Sequence, residues 1–520
     1  MSKPSPAYFQ RLAALAAIDD PAGRETRPVL EAFSGAEMAT IPVATAEDLE
    51  LAVARARSAQ SAWGDRSAKA RAAVVNRFSE LVHDNAEALM DIAQAETGKA
   101  RIYAQEEVID VALTARFYAQ NGPKMLADQK VPGMLPGATD VRVRYQPKGV
   151  VGVISPWNYP LTLAVSDAVA ALIAGNAVVI KPDSNTPYCC LALAELLYQA
   201  GLPRELYAVV PGPGSVVGQA IVAQTDYVMF TGSSATGATL AEQAGRRLIG
   251  FSAELGGKNP LIITRNADVD KAVAGAARAC FSNSGQLCIS IERIYVDRAI
   301  SDEFTEKFAR HVSEMTLAPT YDFTADMGSL ASAQQVETME AHVTDAVAKG
   351  AKVVAGGRKR ADIGPFFYEP TVLTDVTDQM TCFADETFGP LVAIYPVDST
   401  DEAVKLANDT DYGLNASVFA GGDEEAQRIA EQIRAGTVNI NEGYAAAWAS
   451  TAAPMGGMGI SGVGRRHGAE GLIKYTEPQT IATQRYIGLD GIRGIRGIPQ
   501  SLYLKLTPTL IRSLKYLPGR

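Results

Sequence analysis

From about residue 140 onward the hydrophobic positions fall into short runs separated by amphipathic stretches. VRVRY (141–145) alternates polar and apolar residues like a half-exposed strand. GVVGVIS (149–155) is a continuous apolar run, the pattern of a strand buried on both faces. AVVIK (177–181), YAVV (207–210) and DYVMF (226–230) repeat that run, with helical patterns over 189–200 and 215–224 between them. Strands alternating with helices in this way predict right-handed βαβ units and a parallel sheet, whose ligands bind beyond the carboxyl ends of the strands. The rhythm returns later in IERIYVD (291–297), a helical 301–313, KVVAGG, PLVAIYPV, a helix opened by Ser399, ASVFA and GTVNI. Before residue 127 the pattern is helical, opening with a capping box of Thr45 and Asp48 ahead of Leu49, Ala52, Val53 and Ala56.

With 520 residues the chain exceeds one ordinary domain, and 47% hydrophobic residues with 45 glycines suit a globular α/β protein. A formal charge of −10 argues against nucleic acid as a partner. The charge is uneven: 485–520 holds seven basic residues against one acid, which leaves the rest of the chain at −16. In the tail Lys505, Arg512 and Lys515 share one helical face and Leu506, Leu510, Leu514 and Leu517 another, with Pro508 as an expected interruption. Such a segment packs on its own protein or a neighbouring subunit, or else lies on anionic lipid. Five scattered cysteines make no disulfide framework, no His/Cys spacing suggests a metal, and no signal peptide opens the chain. A cytoplasmic protein is expected.

The chemistry gathers at strand ends. PWNYP (156–160) follows GVVGVIS, KPDS (181–184) follows AVVIK, and TGSSATG (231–237) follows DYVMF. A glycine turn from strand to helix offers backbone N–H groups and a positive dipole end to a phosphate, although it also fits an ordinary βα turn. FSAELGGKNP (251–260) ends an apolar run with Glu254, a candidate general base. FSNSGQLCIS (281–290) sets Cys288 at a helix-to-strand junction behind small residues, where it is a candidate nucleophile or a plain buried thiol. Glu386 sits in ETFGP (386–390), and 443–468 is too glycine-rich for a regular element and reads as a functional loop.

These motifs in this order resemble the aldehyde dehydrogenase superfamily over about residues 30–485. Within it the chain looks most like NADP-dependent succinate-semialdehyde dehydrogenases of actinobacteria. The resemblance implies an α/β fold of two Rossmann-type doubly wound parallel-sheet domains plus a small β oligomerisation extension. It places a dinucleotide-binding domain at 1–137 and 150–254, and a catalytic domain at 255–460. A bridging segment spans 138–149 and 461–492, and the tail 493–520. It casts Cys288 as the nucleophile that forms a thiohemiacetal and then a thioester. Asn158 becomes an oxyanion donor together with the Cys288 N–H, and Glu254 the base that activates the hydrolytic water. Trp157, Asn158, Lys181, Pro182, Asp183, Ser184, Gly232, Ser233, Leu255 and Glu386 would line the cofactor, Glu386 at the nicotinamide ribose. An acid at 254 favours a free carboxylic acid as product over a coenzyme A thioester. A homodimer or homotetramer is implied.

Two positions depart from familiar relatives. Ser184 stands where NAD-using relatives carry a glutamate for the adenosine ribose, so NADP is expected, with NAD as the alternative. Ser166 and Ser282 stand where succinate-semialdehyde enzymes carry arginines for the substrate carboxylate, which keeps aromatic or longer aliphatic aldehydes open as substrates.

Overall fold

The continuous apolar runs become the centres of two sheets in the computed structural model, which describes residues 3–133, 139–485 and 499–513. The first sheet has six strands in the order 462–463, 250–254, 227–231, 150–154, 177–181, 207–209. Every neighbour pair is parallel except 462–463 with 250–254. Strands Val150–Ile154 and Ala177–Lys181 are buried along their whole length, which is why their sequences are apolar without alternation. The chain steps outward from 150–154 to 177–181 and 207–209, then returns to 227–231 on the other side. That reversal makes the crevice beyond 150–154 and 227–231 the place for a ligand, and PWNYP and TGSSATG both open onto it.

The second sheet has seven strands in the order 352–355, 371–374, 391–397, 291–297, 259–263, 415–419, 437–440, antiparallel only at its 352–355 edge. Helix Val269–Phe281 packs beneath it, with Phe281, Phe304 and Phe308 among the buried residues. Only Leu255–Lys258 separates the last residue of strand 250–254 from the first of 259–263, so one short link joins the two sheets. The two Rossmann-like α/β sheets are the architecture expected of the sequence. The Thr45–Asp48 capping box forms, and Ser399 caps helix Thr400–Asn408.

By contacts the chain divides into Met1–Met125 with Pro147–Tyr475, and Leu126–Gln146 with Thr476–Arg520. The second unit contains a three-stranded sheet of 476–484, 139–147 and 129–131 in that order. The bridging segment expected at 138–149 and 461–492 thus shares its strands with 129–131, while Gly462–Val463 pairs with strand 250–254 in the six-stranded sheet. Of the tail, helix Gln500–Ser513 is described, and it continues through Pro508 rather than breaking there. Residues 486–498 and 514–520 lie outside the described residues, and with them much of the tail reading. Among the described residues no helix is long and apolar enough to cross a membrane, and no group of His, Cys, Asp or Glu could hold a metal ion.

Candidate active site

Helix Val269–Phe281 ends in a tight turn, Ser282–Gly285, in which Asn283 and Ser284 both adopt left-handed backbone (φ 51° and 56°). Two non-glycine residues in that region are strained, and they persist where surroundings hold them. Here the hold is visible. Asn283 Nδ2 donates to the carbonyls of Asn158 (3.0 Å) and Gln286 (3.1 Å), and the Ser284 hydroxyl donates to the Gly328 carbonyl at 3.2 Å. The turn delivers Cys288 to the edge of strand 291–297, half-buried among Tyr159, Leu163, Leu287, Ile289, Tyr444 and Met455. Cys189, Cys190, Cys280 and Cys382 are buried.

Asn158 follows strand 150–154 and is buried. Its Nδ2 donates to the Gln286 carbonyl at 3.1 Å, which ties the amide to the loop that carries Cys288. Its own carbonyl accepts from Lys99 Nζ at 2.8 Å. Lys99 also pairs with Glu107, both side chains wholly buried. Glu107 in turn accepts from the N–H groups of Leu161 (2.9 Å) and Thr162 (3.2 Å) at the start of helix Pro160–Ala174. The helix start, the ion pair and Asn158 are therefore one connected assembly.

Glu254 ends strand 250–254 and is buried, held on one side by the Gly232 N–H on its carbonyl (3.1 Å) and on the other by pairing with Gly462. Burial pushes its carboxyl up to about 7, against the pull of Arg466 and Lys474. Arg466 and Lys474 are themselves anchored on buried Asp167 at 2.5 and 2.9 Å, and Arg466 also donates to Ser166 at 2.8 Å. The Cys288 thiol is pushed up to about 12 by burial and by the nearby carboxylates of Glu386 and Glu254.

The link between the sheets explains its glycines. A Cβ at Gly256 would stand 2.3 Å from Glu386 Oε2, and one at Gly257 would stand 2.6 Å from the Cys288 carbonyl. At Gly257 the obstacle is backbone, so only a residue without Cβ fits there, while a Cβ at Gly256 would displace the Glu386 carboxylate. The Gly257 N–H donates to Glu386 Oε1 at 2.9 Å, and burial raises the Glu386 carboxyl to about 8. Glu292 steadies the same region, pairing with Lys258 at 2.5 Å and accepting from the N–H groups of Thr387 and Phe388 at 3.0 Å. Phe388 packs edge-on against Trp157, ring centres 5.5 Å apart.

The expected cofactor residues lie along the crevice of the six-stranded sheet. Lys181 ends its strand, buried, with its pKa lowered chiefly by burial. Pro182 is buried, while Asp183 and Ser184 are half-buried, and Asp183 accepts from the Asn185 N–H at 2.9 Å. Ser233 caps helix Ser234–Arg246, accepting from the Thr236 N–H, so that helix start and Gly232 open toward the crevice. Leu255 packs against Gly237 and is buried. A dinucleotide fits these residues: a capped helix start for the pyrophosphate, a lysine at a strand end, and an indented glycine link beside Glu386.

Sequence reasoning missed Lys99, Glu107, Gln286, Glu292, Asp167 and Arg466. Glu292 carried a signal, a carboxylate inside a strand whose seven residues are all buried. Arg27 was missed too. Its Nη2 lies 3.5 Å from Asn185 Oδ1, and its like charge helps lower the Lys181 pKa, so a second cation stands beside the 181–185 turn.

The profile of the aldehyde dehydrogenase family matches residues 19–481. Over all 520 residues of both chains, the sequence is 63% identical to a Mycolicibacterium smegmatis protein named as a putative NADP(+) succinate-semialdehyde dehydrogenase. It is 37% identical over 464 residues to the mitochondrial succinate-semialdehyde dehydrogenase of Rattus norvegicus, covering 88% of this chain and 87% of that one. Among solved structures, an NADP dependent enzyme of E. coli superposes with a TM-score of 0.85 at 33% identity, covering 88% of this chain and 95% of that one. A point mutant of betaine aldehyde dehydrogenase from Staphylococcus aureus, in complex with NAD+, superposes at 0.86 and 31% identity, covering 92% and 97%. A cysteine loop tied to an asparagine amide, a buried glutamate at a sheet junction and a family match across nearly the whole chain agree: this chain belongs to the aldehyde dehydrogenase family.

Proposed function

We propose that this chain oxidises succinate semialdehyde to succinate with NADP, through an acyl group carried on Cys288. The observation that carries the reaction type is the tether of Asn158 to Gln286, two residues before Cys288, with Glu254 buried at the end of strand 250–254. Cys288 Sγ attacks the aldehyde carbon with loss of the thiol proton to water. The Asn158 amide and the Cys288 N–H stabilise the resulting oxyanion. NADP held in the crevice would supply the acceptor for the hydride on that carbon, and Cys288 would then carry the acyl group as a thioester. Glu254 then takes a proton from water, the hydroxide attacks the thioester, and the acid leaves as the thiol is restored. Lys181, Pro182, Asp183, Ser184, Gly232 and Ser233 would hold the adenosine and phosphate end. Glu386 would hold the nicotinamide ribose, with Trp157 and Leu255 lying along the cofactor.

The substrate rests on the full-length identity to the M. smegmatis protein and on the rat mitochondrial relative. NADP is supported by the two cations at the 181–185 turn and by the absence of a carboxylate at Ser184. A second reading, aromatic or longer aliphatic aldehydes, draws on the apolar neighbours of Cys288, which include Tyr159, Leu163, Tyr444 and Met455, with Trp448 packed against them. Steady-state kinetics on succinate semialdehyde, butanal, octanal and benzaldehyde, each with NAD and NADP, separates the two. A higher kcat/KM for succinate semialdehyde with NADP is expected, and better use of octanal or benzaldehyde contradicts it. The two domains and the bridging strands are read as cofactor-binding, catalytic and oligomerising parts of a cytoplasmic homodimer or homotetramer.

A further inference from the structure

A carboxylate at the far end of the aldehyde needs a cation near the Cys288 pocket, and Ser166 and Ser282 supply none. Most candidates are already committed. Arg466 is buried between Asp167 and Ser166, Lys474 is held by the same Asp167, and Lys99 is enclosed with Glu107. Lys258 is buried against Glu292, and Arg465 donates to the carbonyls of its own loop, Gly457 and Gly464. Arg278 differs. It lies one helical turn before Ser282, and although it pairs with Glu106 its side chain stays half exposed.

Tyr444 connects it to the residues around Cys288. The guanidinium carbon stands 5.8 Å from the ring centre of Tyr444, and Tyr444 is one of the buried residues clustered around Cys288. Arg278 Nη2 bonds Glu106 at 2.9 Å. The Tyr444 hydroxyl donates to the other oxygen of Glu106 at 2.8 Å and lies 3.0 Å from Ser282 Oγ. Ser282 Oγ donates to the Arg278 carbonyl at 2.6 Å. The serine that replaces an expected arginine is thus tied to an arginine one turn earlier, with a carboxylate and a phenol fixing that arginine's direction. A guanidinium retains donors after one bond to Glu106, and a planar fork suits a carboxylate.

We propose that Arg278 is the specificity-determining residue that takes the distal carboxylate of the aldehyde, with Glu106 and Tyr444 positioning it. This rests on the substrate reading above.

The test compares succinate semialdehyde with butanal in the full-length enzyme with saturating NADP. In Arg278→Leu, KM for succinate semialdehyde should rise roughly tenfold to a hundredfold, the loss of a charged hydrogen bond, with KM for butanal within about twofold of wild type. Arg278→Lys, which keeps the charge without the fork, should fall between, and it carries the test if the leucine variant fails to fold. Arg278→Leu combined with Glu106→Gln should keep the high KM. If the double variant regains the wild-type value, Arg278 only neutralises Glu106 and the proposal falls. It falls as well if both aldehydes weaken equally. If wild type prefers succinate semialdehyde and Arg278→Leu keeps that preference, only the role of Arg278 is lost. If wild type shows no preference for succinate semialdehyde over butanal, the substrate reading falls and Arg278 with it.

Discussion

The side-chain amide of Asn158 donates to the backbone carbonyl of Gln286 at 3.1 Å, across 128 residues of sequence. An amide nitrogen carries two hydrogens, so this bond fixes the direction of the second and leaves it for an oxygen developing on a carbon bound to Cys288. Asn158→Ala should lower kcat by on the order of 10²–10³, the effect of removing one oxyanion donor. Fluorescence titration should show NADP binding weakened far less than kcat.

The position of Asn158 depends on a pair of charges that never meets solvent. Removing Lys99 leaves Glu107 with two backbone N–H partners and no counter-charge, and it takes a donor from the Asn158 carbonyl. Lys99→Met should destabilise the protein by about 3–5 kcal/mol, the usual cost of breaking a buried pair from one side. Adding Glu107→Gln should recover part of that. Denaturant unfolding followed by fluorescence reads both, and equal stability of all three proteins would show that the pair contributes nothing.

Glu254 gives the enzyme a pH dependence whose sign follows from its burial. The base form is the carboxylate, and burial lifts the carboxyl to about 7, so the reactive fraction grows as pH rises through that value. Where thioester hydrolysis limits turnover, kcat should climb from pH 6 to pH 8 and level off above. The first turnover, read by rapid mixing, should not share that step. A flat kcat over this range would assign the water-activating role to another group.

Ser184 and its neighbours predict the cofactor preference. A glutamate there would stand near any 2′-phosphate, and two like charges about 4 Å apart at an effective dielectric near 20 repel by roughly 4 kcal/mol, an upper figure before solvent rearranges. Ser184→Glu should therefore raise KM for NADP far more than KM for NAD. Equal weakening of both would place the 2′-phosphate elsewhere.

The parts of this site legible in the sequence were those made by neighbours in the chain. TGSSATG after a buried strand announces a capped helix start, and Ser233 caps it. FSNSGQLC announces a turn before a strand, and Cys288 stands there. What stayed hidden was the support across long separations. Lys99 reaches Asn158 and Arg466 reaches Asp167, and each looks alone like an ordinary surface charge. The boundary of the small unit was hidden for the same reason. Strand 129–131 is too short to show a period, and Gly462–Val463 is a strand only because Ala253 and Glu254 pair with it.

The central claim is that an acyl group passes through Cys288 and is released by Glu254. It is tested most directly by incubating Glu254→Gln with succinate semialdehyde and NADP, quenching in acid, and sequencing the peptides by mass spectrometry. A succinyl adduct on Cys288, formed with one equivalent of reduced cofactor and absent when NADP is omitted, is the predicted result. An adduct on Cys280 or another residue, or reduced cofactor formed at the wild-type rate with no adduct, would contradict it.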